Sequence, residues 1–166
     1  MRFPTCLPAA LAVGITFVQA ATLVPELVSR RAAGLVPAVT GNGPSHDAGF
    51  AADGRFVFFT SGAASLVAHD ANGPRLDVFR RDLAAGVTEL VSLGPDGQPW
   101  GDAEAFGQSV SADGTKVAFV RQTLRPAAGS SLLENDLYVR DLTARATTLV
   151  SVRADGQGPG NGASGY

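Results

Sequence analysis

Residues 77–98, DVFRRDLAAGVTELVSLGPDGQ, lie over residues 136–157, DLYVRDLTARATTLVSVRADGQ, at an offset of 59 and without a gap. Twelve of the 22 aligned pairs are identical, among them Asp77/Asp136, Arg81/Arg140, Asp82/Asp141, Thr88/Thr147, Ser92/Ser151 and Gly97/Gly156. Chance would give about two at an average composition, so the chain carries an internal repeat. That repeat bears on the fold before any single motif does.

Outward from this block, the rest of the unit follows. Gly41-Asn42-Gly43-Pro44-Ser45 resembles Gly160-Asn161-Gly162-Ala163-Ser164, and Gly41 and Gly101 each stand twelve positions before the Asp of an Ala-Asp-Gly triplet, Asp53 and Asp113. One unit is therefore about 60 residues, longer than the roughly 40–45 of the commonest four-stranded propeller repeat. Four apolar segments alternate with turn signals in each unit: 48–51 and 108–111, 55–60 and 115–120, 77–80 and 136–139, 87–92 and 146–151. The loop between the second and third segments is expected to hold the extra length. Asp53-Gly54 and Asp113-Gly114 join the first two segments, and Asp-Gly between apolar runs predicts a two-residue type I′ hairpin. Val, Phe, Thr and Tyr concentrate in the segments, and Gly or Pro interrupts nearly every window of ten, so no helical stripe survives. The expected fold is all-β: four-stranded antiparallel sheets repeated in tandem as the blades of a β-propeller, in an incomplete ring.

The residues that carry this reading resemble a known group. Ser111-Ala-Asp-Gly-Thr-Lys-Val-Ala-Phe-Val120, Asp136-Leu-Tyr-Val-Arg-Asp-Leu142 and Thr147-Thr-Leu-Val-Ser-Val152 are similar to the blade of TolB-like, WD-repeat-like bacterial propellers. The first unit follows with Ala51-Ala-Asp-Gly-Arg55 and Asp77-Val-Phe-Arg-Arg-Asp82, departing at Ala51 and Arg80. The resemblance runs from about residue 41 to the end. It implies a fold and leaves the activity open, since such propellers serve as scaffolds, as envelope proteins and as front domains of hydrolases.

The start of the chain has a different character. Arg2 and the amino terminus precede a twelve-residue apolar run from Leu7 to Val18, and Val18-Gln19-Ala20 places short residues before Ala21. The run is too short for the ~20 residues of a spanning helix and suits a signal peptide cleaved after Ala20. Glu26-Leu27-Val28-Ser29 copies Glu89-Leu90-Val91-Ser92, an orphan fourth strand. The expected organisation is a signal peptide over 1–20, an orphan strand and linker over 21–40, one blade over 41–100, a second over 101–159, and the start of a truncated third over 160–166. The expected location is periplasmic or secreted, with no stable membrane span. Two blades do not close a ring of roughly four to eight, so the chain reads as a fragment of a longer propeller, whose unpaired edges invite self-association.

Composition bounds the chemistry. A formal net charge of −2 offers no basic field for phosphates, which argues against a nucleic-acid partner. Cys6, the single cysteine, falls in the signal segment, so no disulfide framework follows, and two histidines make a structural zinc site a poor fit. Asp53, Gly54, Asp113 and Gly114 read as turn residues, and Asp77, Asp136, Asp82 and Asp141 as structural positions. A group that recurs in every copy suits strand pairing, whereas chemistry needs a unique constellation. The loop from His69 to Asp77, with Asp70 and Asn72, has the oxygen-rich look of a calcium loop, and an Asx turn explains it equally. Trp100 fits either packing over a blade edge or anchoring a ligand. No Gly-x-Ser-x-Gly elbow occurs. The sequence thus points to an exported, non-catalytic scaffold for a protein or small-molecule partner, without cofactor or metal. The alternative is the front of an exported peptidase or glycosidase whose catalytic residues lie beyond residue 166.

Overall fold

A computed structural model of the chain describes residues 40–127 and 130–160. The signal segment, the copy at 26–29 and the residues from 161 onward lie outside them. Strands β1 (Ser45–Phe50), β2 (Phe56–Ser61), β3 (Asp77–Asp82) and β4 (Val87–Leu90) form one antiparallel sheet in chain order. Strands β5 (Glu104–Val110), β6 (Lys116–Ala127), β7 (Ser130–Asp141) and β8 (Ala146–Leu149) form a second in the same order. The fold is all-β, and each unit of the repeat is one four-stranded meander.

The turns depart from the expected two-residue hairpin. Ala51 N and Ser111 N donate to the carbonyls of Phe56 and Lys116, and Gly54 N and Gly114 N close β-turns on Ala51 O and Ser111 O. Only the glycine of each Asp-Gly pair takes positive φ, 68° at Gly54 and 67° at Gly114, whereas a type I′ turn needs both central residues there. Asp53 and Asp113 instead accept the backbone N–H two residues on, at Arg55 and Thr115, as Asx turns. Gly114 is constrained twice: besides its φ, a Cβ there would stand 2.9 Å from Ala51 Cβ of the first sheet.

Strand alternation separates two cores. Phe58 faces one side of β2, and with Val78 and Val91 it packs against Val117, Phe119 and Tyr138 of the second sheet. Val57 and Phe59 face the other side and meet Phe79, Ala63 and Leu66. Phe58, Phe79 and Phe119 are fully buried, each contributing about 2–3 kcal/mol of hydrophobic stabilisation. The sheets are joined by backbone as well, with Ala52 N donating to Ala112 O (3.1 Å) and Ala105 N to Leu76 O (2.7 Å). Gln108 on β5 bridges them, accepting from Thr60 Oγ1 (2.5 Å) and donating to the Asp47 carbonyl.

The extra length sits differently in the two units. After β2 the chain makes the expected loop, 62–76, which folds back so that Ala63 and Leu66 are fully buried. In the second unit no such loop forms: β6 and β7 pair continuously from Lys116↔Asp141 to Ala127↔Ser130, so the segment 127–136 expected as a loop is mostly strand. Phe119↔Tyr138, Thr123↔Glu134 and Leu124↔Leu133 continue one alternating register, which offers pairing at every step and makes a ribbon cheaper than a loop.

Candidate functional site

The recurring acidic residues are held by local partners. Asp82 Oδ1 accepts from Ala84 N and Ala85 N, and its carboxylate is paired by Arg55 at 2.6 Å. Arg55 first, then the turn N–H groups, lower its pKa to about 2. Asp141 repeats the arrangement with Thr143 N, Ala144 N and Lys116, and the same hydrogen bonds and charge hold its pKa down. Asp113 is lowered to about 2 by Ser111 and Thr115, both of which donate to it. Arg81 and Arg140 donate across to Thr88 and Thr147 at 3.1 and 3.0 Å, and the Arg–Asp neighbours in sequence are not each other's partners.

Asp77 at the start of β3 and Asp136 in the middle of β7 are both buried. Ser92 Oγ donates to Asp77 (2.6 Å) while accepting from Val78 N (3.1 Å), and Ser151 does the same for Asp136 (3.3 Å) and Leu137 N (3.0 Å). Burial pushes the Asp77 carboxyl up to about 7 against the opposing bond from Ser92, with Asp70 adding repulsion. Of the calcium-like loop, Asp70 Oδ1 accepts from Asn72 N and Gly73 N, an Asx turn, and the Asn72 amide donates to Ala103 O at 2.9 Å. Among the described residues no cluster of three His, Cys, Asp or Glu side chains could hold a metal ion. Trp100 packs into the inter-sheet core, 5.2 Å from the Tyr138 ring, with the Arg121 guanidinium 5.0 Å from its own.

None of Asp53, Gly54, Asp77, Asp82, Asp113, Gly114, Asp136 and Asp141 lines the recess that lies between the two sheets. That is a groove of about 550 Å³ where the β4 edge of the first sheet faces the β7–β8 turn of the second. Its polar wall is Arg140, Arg145, Glu89, His69 and Gln98, and its apolar wall comes from Val67, Leu90, Leu93 and Leu142. Glu89 is drawn toward Arg80, its cross-strand neighbour and ion-pair partner. Arg140 is only 7% exposed, and burial lowers its guanidinium's pKa, with Glu89 opposing and the like charge of Arg145 adding to the effect.

No family model, no curated protein and no solved structure matches the chain. The groove therefore rests on its own chemistry. Sequence reasoning missed it because its lining comes from four separate segments of both units. One signal was present: within the 22-residue alignment Gly86 faces Arg145, and both occupy left-handed backbone, at φ 68° and 55°. A non-glycine residue in left-handed backbone is uncommon and draws attention to its side chain.

Among the described residues no helix is long and apolar enough to cross a membrane.

Proposed function

We propose that the chain is an exported module of β-propeller type that works as a non-catalytic scaffold for a protein or small-molecule partner. The observation that carries this reading is the fate of the recurring polar residues. Asp53 and Asp113 are spent on turns, Asp82 and Asp141 on turn N–H groups and a cation from the segment leading into β2 or from the start of β6, and Asp77 and Asp136 on a serine beyond the fourth strand of the sheet. Groups already engaged as scaffold in both copies are poorly placed for nucleophilic or acid–base work, which needs a unique arrangement. The seating of β5 against β1, β2 and β3, through Gln108 and the two backbone bonds, supports reading the sheets as neighbouring blades. The short apolar run after Arg2 supports export.

Two measurements test it. Mass spectrometry of the exported form should find a mature amino terminus at Ala21, and an intact Met1 terminus confined to the cytosol overturns the export claim. The purified chain should leave chromogenic ester, peptide and glycoside substrates unchanged. Turnover that survives repurification would replace the scaffold reading with that of a hydrolase.

A further inference from the structure

We propose that the groove between the β4 edge and the β7–β8 turn is a binding site for a small organic monocarboxylate, with Arg140 and Arg145 holding the carboxylate and the apolar wall taking the rest of the ligand. This deepens the scaffold reading above and rests on it.

The two arginines are prepared differently. Arg140 is buried and oriented: its Nη1 donates to Thr147 Oγ1 at 3.0 Å, fixing the guanidinium plane and leaving other donors free for the recess. Arg145 is exposed and lies at φ 55°, where the first sheet has Gly86 at 68°. An L-residue there costs about 1–2 kcal/mol, a strain that turn geometry does not require, since the equivalent glycine builds the same turn. Among the described residues the Arg145 guanidinium makes no hydrogen bond or ion pair. Its charge also acts against Arg140, and a bound anion would offset that repulsion.

The ligand class follows from charge and shape. The lining holds two guanidiniums, and its one carboxylate, Glu89, is already paired by Arg80, so the recess presents positive charge to an anion, and the hydrocarbon wall beside it suits an organic carboxylate better than inorganic phosphate. Guanidinium forks meet carboxylates in bidentate geometry, and the neighbouring Gln98 and His69 add further hydrogen-bonding groups. Val67, Leu90, Leu93 and Leu142 leave a hydrocarbon-lined space, and about 550 Å³ is within the usual range for a small-molecule site.

The test is an amide-resolved NMR titration of the purified chain with 4-phenylbutyrate, beside its uncharged amide and inorganic phosphate. The proposal expects shifts over residues 67–69, 97–98 and 142–145 with the carboxylate, and binding at least about tenfold weaker with the amide. Arg145→Gly should melt no lower than the parent, because it removes the strained backbone, and should bind the carboxylate at least about tenfold more weakly. Equal binding of acid and amide, tighter binding of phosphate at the same residues, unchanged affinity in Arg145→Gly, or no response at millimolar carboxylate would each overturn it. Shifts confined to another surface would sink the groove and leave the scaffold reading standing, whereas that reading fails by turnover of the chromogenic substrates.

Discussion

The two sheets share their polar framework almost residue for residue and part company after the second strand. In the first, 62–76 leaves the sheet and returns, and Ala63 and Leu66 close over Val57, Phe59 and Phe79. Asn42 and Ser65 clasp the loop to the chain entering β1, each donating its backbone N–H to the other's side-chain oxygen at 3.0 and 3.1 Å. In the second, the chain runs on as a two-stranded ribbon on which Leu124, Leu132 and Leu133 are more than half exposed. The difference follows from where each sheet finds cover. The corresponding face of the second sheet, with Val117, Phe119 and Tyr138, is already buried by the first sheet, whereas the first sheet covers its own with a loop. A repeated unit with two apolar faces needs a neighbour or a cap on each, and 62–76 is such a cap.

The sharpest way to break this comparison is to empty the cap. Leu66→Ala should cost about 2–5 kcal/mol, read as a loss of chemical-denaturation stability, because the side chain is fully buried against Phe59 and Phe79. A cost below about 1 kcal/mol would show that the loop covers nothing of consequence. The next effect is one of pH. Because the folded state holds the Asp77 proton more tightly than the unfolded chain does, this group's contribution to stability falls as pH rises from the ordinary carboxylate range, about 4, to about 7. Asp77→Asn should flatten that slope in thermal melts taken across the window, and an unchanged slope would assign the pH dependence elsewhere. Smaller still is a reciprocal pair at the third turns. Arg145→Gly should stabilise by roughly 1 kcal/mol and Gly86→Ala should destabilise by about as much, both through left-handed backbone. Matching signs in the two variants would break the equivalence of the sheets. Smallest is Leu133→Ser on the ribbon, expected within about 0.5 kcal/mol of the parent, since its side chain is 58% exposed. A large loss there would mean that the ribbon is structurally covered after all.

How much could be read in advance varies by element. The four strands of each unit were legible because alternation and turn residues are local signals, and Phe, Val and Tyr concentrate in β2, in β3, in the first half of β6 and in the second half of β7. The turn role of Asp53 and Asp113 was legible too, while its type was not: Asp-Gly permits several turns, and the one adopted is set by a β-turn from Ala51 or Ser111 that the dipeptide does not encode. The ribbon was missed because the second unit was expected to repeat the loop of the first, and pairing of Leu124 with Leu133 is visible only once the register is known. Trp100 offered two uses by type alone; its neighbours Phe119 and Tyr138 assign it to packing.

By itself the sequence determined the repeat, the all-β class and the order of strands within each unit, because each depends on spacing within a few residues or on one copy matching another. The tertiary structure decided which face each sheet buries, what caps the first sheet, and that Arg140 and Arg145 share a recess with Glu89 and His69. Those depend on how two sheets are stacked, and stacking brings together residues that no periodicity relates. A repeat compares each position with its equivalent, whereas a groove between copies joins positions that are not equivalent.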